Sequence, residues 1–541
     1  PPDPQIYTGR RRPEVGLPIM NMRRFPNISI EKQTDSNPAV RAFGRRFYKD
    51  QTPLEYLAEF LLCFSSEKES ETGQIGRGFP GLPEDFKGGL KYLPESRLAV
   101  KLFSFFPSSK LETRHKTHVG RFSQLIEDMQ SNIESDSGEG SERAVRVLQQ
   151  LFAGFVGVAG ERTWVTHSFI PASGFLLARE IDWRHTAAKK ANVENWPAAE
   201  SHFSTGSHTF MARGGEVLFL QLWHVLQEAQ CEQAAQWLND EYSYVNWEAV
   251  RGQLADGLSD TLSAIDGPIS QLGAVIEHTA RETPVINEKL SQQAFGWVHT
   301  TSWREAALFA WELSNVVLSN QDALKKMRVL QDLCCLHVLR SICFQSVRWV
   351  GERASGGKKQ FEGGYSWLTV GLNAGVRTDL GKASTASVSA TEELLYGAVR
   401  SKKLPTLLTL TDDDTSLRNA DAHGFKLFRS LGKKIGLIVP PKGPMRFTLP
   451  SSLVETLVAV LLEPGERLPF DEFLQRLYRH FGIAAGATQI HEALSTLGAG
   501  IRPAVPNDCA AWLEDELKRG GLLIPLSDAT PLVKNPAKKR T

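Results

Sequence analysis

The chain is short of cysteine, of long apolar runs and of net charge, and each shortage removes a class of protein. Six cysteines in 541 residues (Cys63, Cys231, Cys334, Cys335, Cys343 and Cys509) form no paired framework, and no Cys-x-x-Cys occurs. That excludes a disulfide scaffold of the secreted kind and favours a reducing compartment. No apolar stretch approaches the roughly 20 residues that cross a bilayer, and the amino-terminal segment has no apolar signal-peptide core, so a cytoplasmic chain without membrane contact is expected. A formal net charge of +1 gives no strong overall field. Any attraction to nucleic acid must then come from local clusters.

What is present is an ordinary globular composition, 41% apolar and 23% charged, over a length suited to about three to four domains. The apolar periodicity is mostly that of helices. Helix-spaced runs cover Ala144 to Val158, Val217 to Leu238, Trp247 to Ile265, Ile269 to Ala280, Trp303 to Leu318 and Ala323 to Val350, the last nearly continuous in leucine and so a candidate central helix. The expected fold class is mainly α: a multi-domain helical core with small β elements and a C-terminal winged-helix-like domain. Five segments are delimited by composition. Residues 1–36 form a basic, proline-rich extended arm, and 37–142 a helical domain with Gly/Pro loops, a helix over Arg121 to Ile133 and an acidic linker over Glu134 to Glu142. Residues 143–350 form the central helical domain. Residues 351–450 hold a Gly-rich insertion, either β-rich or a flexible loop, then a basic helix and a hairpin, and 451–541 the winged-helix-like domain with a basic tail.

The last segment is the most informative. Leu453, Leu457, Val458, Leu461 and Leu462 define one stripe, and Phe470, Phe473, Leu474, Leu477, Tyr478 and Phe481 a second, opened by Pro469 and stopped by Gly482. A run from Gln489 to Leu497 and a helix from Cys509 to Lys518, capped by Asn507 or Asp508, follow. Gly520 and Gly521 then lead to strands at Leu522 to Ile524 and Leu532 to Val533. Helices followed by a hairpin are the winged-helix order.

Candidate chemistry is sparse. Cys334, Cys335, His337 and Cys343 are zinc-ligand types, but one helix points them in different directions among leucines, so buried thiols are expected. Gly351 to Lys359 lacks the lysine position and preceding strand of a phosphate loop; Lys358 and Lys359 remain candidates for a nucleic-acid phosphate. Asp412, Asp413 and Asp414, near His423, read as an acidic helix cap because no carboxylates converge from separate elements. Ser168, Asp182 and His185 do not sit in a nucleophile elbow. His115 and His118 read as capping or surface histidines. The best phosphate-binding candidate is the helix from Phe425, with Lys426, Arg429 and Lys433 on one side, together with Lys434, Lys442 and Arg446. Lys518, Arg519 and Lys534 extend it into the last domain, where Lys538, Lys539 and Arg540 follow.

Three segments resemble those of large bacterial proteins encoded in phage-defence or restriction clusters. They are SFIPASGFLLAREIDW from Ser168, FMARGGEVLFLQL from Phe210, and FKLFRSLGKKIGLIVP from Phe425 with its continuation to Ile483. The resemblance implies a subunit acting beside an ATPase, helicase or nuclease encoded elsewhere. Its tightest local pattern, Arg213-Gly-Gly-Glu216, is either a turn with an internal salt bridge or a partner contact, with Arg213 and Glu216 as its charged residues.

The expected function is a non-catalytic DNA-binding or assembly subunit of a multi-protein bacterial anti-phage system, gripping DNA through its phosphate backbone with little sequence preference. The alternative is a protein-interaction scaffold that never touches nucleic acid. A metal-dependent nuclease is third. No catalytic residue, metal ligand or cofactor is assigned.

Overall fold

Helix α1 (Pro53–Ser65) begins at a capping box: Glu55 N–H donates to Thr52 Oγ1 at 3.3 Å and Thr52 N–H to Glu55 Oε2 at 2.6 Å, with Pro53 at the first helical position. The computed structural model in which it lies describes residues 23–27, 37–44, 51–83, 86, 88–95, 97–105, 115–134, 138–153, 173–175, 177, 182–183, 185–204, 214–279, 292–350, 363–375, 377–404, 414–440, 442–497, 504–527 and 530–540. It is mainly helical with small sheets. α1 is buried on nearly every side because it crosses α2 (Gly214–Val225) at backbone distance. A Cβ on Gly215 would stand 2.5 Å from Phe60 N and overlap the Tyr56 carbonyl, so only glycine fits.

α3 (Glu228–Glu241) and α4 (Trp247–Ser263) follow, then α5 (Trp303–Val317) and the 28-residue α6 (Ala323–Val350). At 1.5 Å per residue α6 is about 42 Å long. Leu330, Leu333, Leu336, Leu339 and Ile342 are all wholly buried, since α1, α2, α4 and α5 pack around it. α6 has the limits expected from its periodicity. The run from Val217 is instead two helices, divided at Leu226 and Gln227.

The glycine-rich stretch after residue 351 differs from expectation more. Residues 351–362 and 376 lie outside the described residues, but α7 (Asp379–Ala398) is a 20-residue helix capped by Thr378. A helix was expected only over Glu392 to Lys402; the small polar side chains of the earlier turns hid them from an apolar count. Ser387 is buried yet satisfied, its hydroxyl donating to Ser366 O at 2.7 Å and accepting from Leu368 N at 3.1 Å. The acidic stretch expected as a linker likewise contributes Gly138 to Glu142 to the helix Gly138–Ala153, where Glu142 pairs with Arg146 one turn on.

α8 (Phe425–Lys434) matches its expected span. α9 (Ser451–Leu461), α10 (Phe470–Phe481), α11 (Ala487–Thr496) and α12 (Ala511–Arg519) complete the helices used below. Gly482 closes α10 in the left-handed region, φ 71°. α12 has no side-chain cap; Ala510 occupies the cap position expected for Asn507 or Asp508.

The sheets are short. β1 (Arg24–Phe25) belongs to the stretch expected as a free arm, and it pairs antiparallel with β6 (Val298–His299). β2 (Glu67–Ser70), β3 (Gly73–Gly76), β4 (Leu90–Leu93) and β5 (Gln293–Ala294) form one sheet in the order β3-β2-β4-β5, the first three from the domain expected to hold helices and Gly/Pro loops. β7 (Trp367–Leu368) runs parallel to β11 (Ile483–Ala484), and β8 (Ile438–Val439) pairs antiparallel with β9 (Arg446–Phe447) as the expected hairpin. β10 (Arg467–Pro469), β12 (Leu523–Ile524) and β13 (Leu532–Lys534) form a three-stranded sheet in the order β10-β13-β12.

One hydrophobic core runs from Phe25 through α1, α2, α5 and α6 to Val533. The elements after residue 451 share it: α9 packs on α5 and α6, and Asn315 donates to Val460 O at 2.9 Å. A second core, around Phe103, Leu125, Phe152 and Ile276, belongs to the helices Leu98–Phe105, Lys116–Ser131, Gly138–Ala153 and Pro268–Thr279.

Candidate nucleic-acid interface

α8 buries Leu427, Phe428 and Leu431, which turns its cationic positions outward, as its spacing predicts. The cations do not share one environment. Arg429 forms a bidentate pair with Glu392 of α7, both bonds 2.7 Å, and this hydrogen-bonded carboxylate pushes its pKa up. Lys434 Nζ donates to Gln51 O at 3.0 Å. Lys433 is half-buried and already engaged. Arg446 Nη2 donates to Leu372 O at 2.9 Å. Lys426 and Lys442 are exposed and have no acidic partner among the described residues. Within the expected cluster Arg429 is neutralised by a carboxylate, Lys434 and Arg446 are tethered to backbone carbonyls, and Lys426 and Lys442 stand exposed. Lys358 and Lys359 lie outside the described residues.

In the last segment Lys518 is exposed, whereas Arg519 pairs with Glu516 at 2.8 Å. Lys534 of β13 stands opposite Arg467 of β10 in register. The basic tail is tied down: Asn320 N–H donates to Lys538 O at 2.9 Å, Lys539 meets Glu463 at 3.2 Å and Arg540 meets Asp260 at 2.7 Å. α12, the helix before the hairpin, carries Glu514, Asp515 and Glu516.

The candidate partner contact is corrected. Glu216 is wholly buried and accepts from Gly296 N–H at 2.6 Å, while Gly215 N–H donates to Glu59 Oε2 at 2.7 Å. The local pattern exists because α1 and α2 cross closely and the first amides of α2 need acceptors there. Arg213 lies outside the described residues.

The thiols Cys334, Cys335 and Cys343 are free and buried, and burial pushes each pKa up. No group of three metal-ligating side chains gathers among the described residues; Asp412 and Asp413 lie outside them. His115 caps the helix Lys116–Ser131 by accepting from Thr117 N–H at 3.3 Å. His118 is buried edge-on against Trp196. No helix among the described residues is long and apolar enough to cross a membrane.

A buried polar chain was invisible in the sequence. Arg340 of α6 donates to both oxygens of Glu312 on α5, at 2.6 and 2.8 Å, and to His480 O of α10 at 3.1 Å. Glu312 Oε1 accepts from His480 Nδ1 at 2.8 Å, and His480 Nε2 accepts from Tyr244 at 2.7 Å. On the other side His337 Nδ1 accepts from Arg340 Nη2 at 2.9 Å, and its Nε2 donates to Gln221 Oε1 at 3.1 Å. These partners assign both imidazoles as neutral, and burial lowers both pKa values. With one cation and one anion, the chain joins α2, α5, α6 and α10; Glu312, Arg340, His337 and His480 have no solvent exposure, and Tyr244 at its end is half-buried. Its members are 28 and 140 residues apart, so no local spacing signals it.

No protein-family model matches this chain, and no curated protein or solved structure matches it.

Proposed function

We propose that the chain is a non-catalytic assembly subunit of a multi-protein bacterial anti-phage system, acting beside an ATPase, helicase or nuclease. In this reading α9, β10, α10, α11, α12 and the β12–β13 hairpin are a winged-helix-like unit that docks another protein. The carrying observation is the charge of α12, the helix just before the hairpin, where a groove-reading helix would lie. Glu514, Asp515 and Glu516 stand against Lys518 and Arg519 on this helix, with Glu516 taken up by Arg519, so it offers phosphate no continuous cationic face. Leu526, 43% exposed beyond β12, adds an apolar contact of the kind protein interfaces use. The anti-phage assignment rests on the resemblance of the three segments.

A second reading, contact with a DNA phosphate backbone, is favoured by Arg467 and Lys534. Like charges directly opposite on paired strands repel, and neither has an acidic partner among the described residues; a phosphate between them would relieve that repulsion.

The experiment pairs affinity capture of the tagged full chain with proteins encoded beside it and gel shifts on duplex and single-stranded DNA. Capture that is lost on Leu526→Asp, with no DNA shift at low salt, supports docking. A salt-sensitive DNA shift without capture overturns it in favour of the second reading.

A further inference from the structure

Tyr396, in the last turn of α7, is 48% exposed. Its ring is nevertheless held in place. The Arg400 guanidinium lies 3.5 Å from the ring centre, and it is fixed there by bonds from Nη1 to Tyr396 O at 3.2 Å and to Asp421 at 2.6 Å, and from Nη2 to Asp421 at 3.0 Å. A cation against a ring is a favourable contact, and it orders the ring before anything meets the open side. Phe425, half-buried at the start of α8, places a second ring 6.2 Å away with the two planes at 59°.

The carboxylates around these rings are already taken. Asp421 holds Arg400, Glu392 holds Arg429, and Glu393, exposed one turn before Tyr396, is engaged as well. Three lysines are not. Lys402 and Lys403 in the turn after α7, and Lys426 next to Phe425, are exposed and have no acidic partner among the described residues. Presented rings with spare positive charge beside each of them are the pattern on which single nucleic-acid strands lie, bases on the rings and phosphates at the cations. A duplex keeps its bases stacked inside and leaves no face for Tyr396. A carboxylate-rich peptide would meet the lysines and leave the rings bare.

We infer that the carboxyl end of α7 and the amino end of α8 form a platform for single-stranded DNA. One base stacks on Tyr396, the next reaches Phe425, and the phosphates meet Lys402, Lys403 and Lys426. The proposal does not rest on docking by the hairpin, which Leu526→Asp tests; a subunit docked there can hold a strand here.

The test is fluorescence anisotropy of the full chain with a labelled oligothymidylate of about 15 nucleotides, near the upper site size of a single stacking domain. A dissociation constant on the order of 10 µM is expected at low salt, in the range of non-specific binding, and a complex this weak is read at equilibrium because it dissociates in a gel. Tyr396→Ala is expected to weaken binding roughly five- to 150-fold, and Tyr396→Phe, which keeps the ring, to leave it within about twofold. Lys402→Glu combined with Lys403→Glu should weaken it too and lower the log–log salt slope from about two. All these side chains border solvent, and thermal melts check that each variant folds. No binding at ten times the expected constant overturns the proposal. So does a duplex bound as tightly, displacement by polyglutamate as effective as by unlabelled oligothymidylate, or an affinity that Tyr396→Ala leaves unchanged.

Discussion

Glu312 and Arg340 meet through two parallel hydrogen bonds of 2.6 and 2.8 Å, and neither side chain has any solvent exposure. A pair this deep survives because every remaining valence is met, by His480, His337 and the His480 carbonyl. Removing one member strands the other charge. Arg340→Met is expected to lower unfolding free energy by about 3–5 kcal/mol, and Glu312→Met by a similar amount. Combining them should recover a good part of the loss. Denaturant midpoints of the two single variants and the double one measure the coupling, and strict additivity would sink the idea.

The two glycines at 215 and 252 should respond oppositely to alanine. Gly215→Ala forces apart α1 and α2, whose backbones leave no room for a Cβ, and is expected to cost about 1–3 kcal/mol or more. Gly252, inside α4, has nothing within 4 Å of an added Cβ. There alanine is expected to raise stability by roughly 0.5–1 kcal/mol. Thermal melts of both variants check the pair.

Stability should fall on both sides of a near-neutral optimum. Burial pushes Glu277 up to about 7 against an ordinary 4.5. The folded state thus holds its proton more tightly than the unfolded chain, and the stability this gives is lost as pH rises from the unfolded value through about 7. Burial lowers His224 to about 4 and His299 to about 3 from 6.5. For these the unfolded chain binds protons more readily, so stability present above pH 6.5 is lost below it, by roughly 1.4 kcal/mol per pH unit for each group within its window. Glu277→Gln keeps an acceptor for Val100 N–H, now 3.0 Å from the carboxylate. It is expected to stabilise at pH 8 and to change little at pH 5; equal effects at both would remove Glu277 as the cause of the alkaline limb.

Charge reversal separates the two readings of the hairpin sheet. If Arg467 and Lys534 grip phosphate, replacing both with glutamate should abolish any DNA shift and flatten its salt dependence by nearly one unit of slope per lost contact. Under the docking reading the same variant leaves DNA behaviour unchanged. Arg467→Glu alone should be slightly more stable than the parent chain, because an opposite charge then faces Lys534 across the strands.

Much of the secondary structure was legible because it depends on neighbours a few residues away. The limits of α6 and α8, the Gly482 stop and the β8–β9 hairpin all follow from local periodicity and capping. Only the end of α7, where a helix was expected over Glu392 to Lys402, was legible; its earlier turns were not, because Ser384, Ser387 and Thr391 are buried as hydrogen-bonded polar groups, which a count of apolar residues misses. The glycines at 214 and 215, read as part of a turn with a salt bridge or a partner contact, open a helix at a close helix crossing.

The sequence by itself determined where most helices begin and end, and that cations recur along α8 and the last segment. Only the tertiary structure decided which of those cations are free. Glu392 lies 37 residues from Arg429 and Asp260 lies 280 residues from Arg540, and a charge is neutralised by what is near it in space. The same holds for the core: Glu312, Arg340 and His480 belong to three separate helices, and only packing brings them within hydrogen-bond reach.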